Sequence, residues 1–88
     1  MDFSDELLQK IPQELHQHEH FKPLREIVVL QQIKNKEQLI QFLEQQIALV
    51  NAWMKANNST GVAVIKQMTS YVARLERYNL WKEWCAYL

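Results

Sequence analysis

Gly61 is the only glycine in this chain, and Pro12 and Pro23 are its only prolines. A β-rich fold needs residues at every tight turn that supply a positive φ or preset a negative one, and a chain so poor in them is committed to helices. Its 88 residues fill one hydrophobic core and not two, so residues 1–88 form a single helical domain.

Local signals divide the chain. Ser4 is placed to cap a first helix, with Asp5 and Glu6 in its first turn where the positive end of the dipole favours acids. Leu7, Leu8, Ile11 and Leu15 share one face of that segment at roughly 100° per residue. Pro12 interrupts it, because the ring removes a backbone donor and clashes with the preceding turn unless it lies near a helix start. The segment is therefore kinked, or divided into a short turn and a helix that begins at Pro12. Pro23 fits the first residue of a second helix running to about Ile33. The run Ile27–Leu30, "IVVL", is apolar on all sides and β-branched, but a lone strand has no partner elsewhere, which favours helix.

Asn35 and Gln38 have the spacing of a capping box and open the clearest helix of the chain. Leu39, Ile40, Phe42, Leu43, Ile47, Val50, Trp53 and Met54 make one broad apolar stripe along it, opposite Glu37, Gln41, Glu44, Gln45, Asn51 and Lys55. The polar stretch 57–61, "NNSTG", ends this helix and starts the next, with Ser59 or Thr60 as the N-cap. Its two N-x-S/T patterns, at Asn57 and Asn58, read as turn chemistry. So short a connection folds the two long segments, about 36–57 and 60–88, into an antiparallel hairpin. The fold class is all-α, a small antiparallel bundle of three to four helices built around that hairpin.

The last helix carries a contradiction. Val64, Ile65, Met68, Tyr71, Val72 and Leu75 lie on the side that should pack against the hairpin partner. Continued to the end, the same helix turns Leu80, Trp81, Trp84, Cys85, Tyr87 and Leu88 to nearly the opposite side. Aromatic side chains bury roughly 150–250 Å² each, so this second face, left bare, exceeds what solvated monomers tolerate. Three arrangements cover it: a turn near Asn79 that folds a short final helix back, the first segment packing against it, or a partner. Trp and Tyr are enriched in binding hot spots, and on that ground Leu80, Trp81, Trp84, Tyr87 and Leu88 are the candidate partner-binding residues.

Chemistry-bearing patterns are few. His16, His18 and His20 would align on a strand, but on a helix His16 and His20 fall four apart on the exposed side without an evident third ligand, so no metal is expected. There is no glycine-rich phosphate loop, no H-E-x-x-H and no nucleophile elbow, and the lone Cys85 in an aromatic segment reads as a small buried hydrophobe. No catalytic residue and no cofactor is expected. Lys66, Arg74, Arg77 and Lys82 among Tyr71, Tyr78, Trp81 and Trp84 have the mixture that single-strand nucleic-acid binders use. Against this, Glu76 and Glu83 interrupt the run, and 10 basic residues balance 10 acidic ones over the chain. The absence of a basic leader, a long apolar run and a second cysteine gives the expectation of a cytoplasmic protein off the membrane. Together these readings favour a non-enzymatic protein-interaction module, an adaptor, inhibitor or small subunit that occupies a partner surface and self-associates, with nucleic-acid binding by the last helix as the alternative.

Overall fold

The computed structural model describes residues 2–56 and 62–88, apart from the side chains of residues 62–65. Residues 57–61, with the caps expected at Ser59 or Thr60, and the side chains of Val64 and Ile65 lie outside the described residues. The order of elements is α1 (Phe3–Lys10), a 3₁₀ helix (Gln13–Gln17), α2 (Phe21–Leu30), α3 (Lys36–Ala56), α4 (Val62–Trp84) and a final 3₁₀ turn (Cys85–Tyr87). Among the described residues there is no strand, and α3 packs on α4 as the long hairpin of an all-α bundle.

Pro12 does divide the first segment. The α1 helix ends at Lys10, Ile11 is extended, and the residues after Pro12 form a 3₁₀ helix rather than a full α-helix. Ser4 is not the cap: Asp2 takes that position without a side-chain hydrogen bond, and its carbonyl accepts from the Asp5 and Glu6 amides. Starting two residues earlier brings Phe3 into the core beside Leu7, while Leu8 lies outside it. The α2 helix starts at Phe21, two residues before the expected Pro23. The proline then stands third in the helix, where its missing N–H has no intrahelical acceptor to lose. "IVVL" is helical, and a helix that is apolar all round cannot bury every side. Val28 is in the core, while Val29 and Leu30 are 65% and 77% exposed.

Two caps fix the connection from α2 to α3. The Ile33 amide donates to the Val28 carbonyl at 3.0 Å and the Gln32 amide to the Val29 carbonyl at 3.2 Å, the paired bonds of a Schellman C-cap. Ile33 and Val28 are both buried, as that motif's apolar contact requires. Gln32 supplies its left-handed residue at φ 54°, where a Cβ is unfavourable. Asn35 then caps α3: its Oδ1 accepts from the Gln38 amide at 2.8 Å, and Gln38 Oε1 accepts from the Lys34 amide at 2.8 Å. The reciprocal arm of the capping box thus reaches one residue beyond Asn35.

The core is confined to one end of the hairpin. Phe3, Leu7, Ile11, Phe21, Leu24, Val28 and Ile33 form a layer with Leu39 and Leu43 of α3 and Trp81, Trp84 and Cys85 at the end of α4. Val50 continues the Leu39–Leu43 face of α3 and is buried, but outside this cluster. Beyond the base the two helices run on as an arm. The molecule measures 48 × 24 × 21 Å with a radius of gyration of 14.7 Å, against about 12 Å for a compact domain of this length.

Leu43→Ala removes a fully buried side chain and should cost about 2–5 kcal/mol, with Ile47→Ala, only half buried, costing less. Gln32→Gly relieves the left-handed Cβ and should raise stability by about 0.5–1 kcal/mol after the entropy a glycine adds to the unfolded chain. Urea titrations measure both, and a destabilised Gln32→Gly variant would contradict the Schellman geometry.

Candidate functional site

Of the five candidate partner-binding residues, the structure buries both tryptophans. Trp81 is fully buried and Trp84 is 4% exposed. Leu80 and Leu88 are half-buried against the core, and only Tyr87, 50% exposed, faces solvent. The α4 helix does not turn at Asn79; it is continuous to Trp84. Its second apolar face is covered by the chain's own first 33 residues, which form the third layer that a two-helix hairpin lacks.

The histidine segment closes that layer. The Trp81 indole N–H donates to the His20 carbonyl at 3.0 Å, satisfying the one polar atom of a buried indole. His18 meets the Trp84 ring edge-on at 5.2 Å, and its Nδ1 accepts from the His20 amide at 3.1 Å. His16 stacks on Phe21 with centroids 4.6 Å apart and donates from Nε2 to the Ile11 carbonyl at 2.9 Å. The expectation that His16 lies solvated on a helix face is therefore corrected. The 3₁₀ geometry after Pro12 swings it inward, and the ring supplies the donor that Ile11 O lacks at the broken end of α1. No group of His, Cys, Asp or Glu among the described residues could hold a metal ion.

Cys85 is buried, and that burial pushes its thiol above the ordinary value although Lys36 and Lys82 pull partly against the shift. Since the folded state holds the proton more tightly, the thiol's contribution to stability is complete below its ordinary unfolded value and is lost as pH rises through the folded one. Such a thiol is a poor nucleophile. A cleft of about 370 Å³ between the start of α1 and the end of α2 is lined by Phe3, Val28, Val29, Gln32 and Ile33 with Asp2, Ser4 and Lys34, and holds neither His nor Cys.

Of the four basic candidates, Lys66, Arg74 and Arg77 share one side of α4 and Lys82 lies off it. Lys82 pairs with Glu44 at 3.8 Å, and the Arg77 guanidinium lies over the Trp81 ring, 5.9 Å from its centroid. Lys66 and Arg74 are exposed.

Exposed apolar side chains lie on α2, at Val29 and Leu30, and also on the arm. Phe42, Leu49 and Trp53 are seven and four residues apart and fall within about 40° of one another around α3. At the base this flank packs Phe42 against the core. Farther along, the same flank carries Leu49 and Trp53, 45% and 40% exposed, and the Trp53 ring leans on Tyr71 of α4 with centroids 5.9 Å apart. Periodicity placed Trp53 on the apolar stripe correctly, but periodicity reports direction and not whether a third layer reaches that far. No family model matches the chain, and no curated protein and no solved structure is significantly similar to it. Among the described residues no helix is long and apolar enough to cross a membrane.

Trp81→Ala should cost about 3–5 kcal/mol and loosen the whole third layer, as deletion of a buried aromatic does. His16→Gln should cost about 1 kcal/mol through its lost stacking, whereas His20→Gln, whose anchoring group is its backbone carbonyl, should change stability by less than about 0.5 kcal/mol. Thermal melts of the three variants check the order, and equal effects of the two histidine changes would contradict the separate roles of the His16 ring and the His20 carbonyl.

Proposed function

We propose that this protein is a non-enzymatic interaction module that occupies a partner surface with the uncapped flank of its arm, centred on Leu49 and Trp53 and extended by Tyr71. The observation that carries this reading is the continuation of an apolar flank from the core into solvent. The flank holds Phe42 partly buried against the core and, farther along the same helix, a tryptophan and a leucine that the third layer does not reach. Tryptophan in such a position is the residue type most enriched among those that dominate binding energy. The lone buried thiol and the cleft without His or Cys favour binding over catalysis. The five C-terminal candidates contribute Tyr87 at most, because their tryptophans already hold the fold together. An adaptor, an inhibitor and a small subunit all work by this physical route, in which a rigid base presents an arm.

Trp53→Ala should weaken capture of the native partner at least tenfold, the loss of about 1.4 kcal/mol or more that a hot-spot truncation brings, while the melting temperature changes little. Trp81→Ala should do the reverse and lose the fold first. Binding that survives Trp53→Ala with unchanged affinity would remove the arm from the interface.

A further inference from the structure

We infer that the occupant of this flank is an acidic, apolar segment of another protein, one that sets leucine-like side chains on Leu49 and Trp53 and carboxylates on the neighbouring row of α4. The inference rests on the interaction reading above and adds the chemistry of the partner. Around α4, Lys66, Ser70, Arg74 and Arg77 lie within about 60° of the direction of Trp81, so the face that is aromatic and buried at the base becomes basic and polar along the arm. Glu76 and Glu83 point about 140–160° away from it, and Glu37 and Glu44 lie about 160–180° from Trp53 around α3. The contact between Trp53 and Tyr71 joins the two flanks into one surface. It therefore carries cations and no carboxylate in a chain whose total charges balance.

Those cations form no ion pair among the described residues. Among the described residues the ion pairs are His20–Glu19, Lys22–Glu26 and Lys82–Glu44, and none includes Arg74 or Arg77. Among the described residues Arg77 Nε, at the step where the arm leaves the base, is buried without an acceptor, as is Arg25 Nε on α2. Guanidinium groups bind carboxylates in a bidentate fork, and beside an aromatic pair they suit a segment that alternates acidic and apolar residues. A second copy of this chain fits poorly, since a two-fold contact through the flank would set Arg74 and Arg77 against the same cations. A single nucleic-acid strand would use the arginines and the rings but leave Leu49 without a match, and three cations give it a weak electrostatic hold.

The test is fluorescence anisotropy of the full chain with three labelled probes: an amphipathic helical peptide of Leu and Glu, its counterpart of Leu and Lys, and oligothymidylate. The Leu/Glu peptide should bind saturably, and Trp53→Ala and Arg74→Glu should each weaken it at least tenfold without changing the melt. Arg74→Glu should also gain affinity for the Leu/Lys peptide, which a merely structural role for Arg74 cannot produce. Equal binding of both peptides, tighter and salt-steep binding of oligothymidylate, or no binding of the Leu/Glu peptide would overturn the inference. Capture of the native partner separates the acidic assignment from the interaction reading beneath it. Loss of capture in Trp53→Ala but not in Arg74→Glu removes the acidic assignment and keeps the interaction module, and loss in neither removes both.

Discussion

The structure depends on one constraint: α4 carries apolar side chains on two opposite faces, and a hairpin can bury only one of them. Met68, Tyr71 and Leu75 turn toward α3, while Trp81, Trp84 and Cys85 turn away. The chain resolves the conflict by folding its first 33 residues into a third layer over the second face. The link that seats this layer is polar. An indole N–H buried without an acceptor would cost roughly 1–3 kcal/mol, and the His20 carbonyl, in the irregular backbone between the 3₁₀ helix and α2, accepts it. Lys10 Nζ reaches the Leu88 carbonyl at 3.5 Å on the outside, so both ends of the chain meet at the base.

The length of that layer then decides the shape. Eight residues of α1 and ten of α2 span roughly 12 and 15 Å at 1.5 Å per residue, whereas α3 and α4, with 21 and 23 residues, span roughly 31 and 34 Å. The third layer runs out before the hairpin does. Over the remaining length the hairpin has a single internal seam, held by residues such as Val50, and its flanks meet solvent. Exposure of Trp53 and Leu49 is thus a consequence of element lengths, and the α4 sequence responds to it. The face that holds tryptophans where it is covered holds Ser70 and Arg74 where it is not.

Much of this was legible in the sequence wherever the cause is local. The Asn35–Gln38 cap, the run of α3, the break at Pro12 and the reversal of the apolar face on α4 each follow from spacings of a few residues. The helix starts expected from Ser4 and Pro23 each missed by two residues because several polar residues there can start a helix, and packing of Phe3 and Phe21 decides among them. The Schellman turn was invisible, since Gln32 occupies a position that glycine or asparagine would have announced. The candidate site was half legible. The aromatic face of residues 80–88 plainly needs a cover, but helical periodicity cannot distinguish a cover made by the chain from one made by a partner. His16 was misplaced for a related reason: its role exists only in the 3₁₀ backbone that Pro12 imposes.

The most direct measurement is the solvent accessibility of the chain's three tryptophans, Trp53, Trp81 and Trp84, read separately. With 5-fluorotryptophan incorporated and each ¹⁹F resonance assigned by a Trp→Phe substitution, the shift between H₂O and D₂O reports contact with water. A closed base and an open arm require the Trp53 resonance alone to shift, with those of Trp81 and Trp84 unmoved. A shift at Trp81 and Trp84 with Trp53 silent would mean that the C-terminal face is open and the arm is covered, which contradicts a fold closed by its first 33 residues.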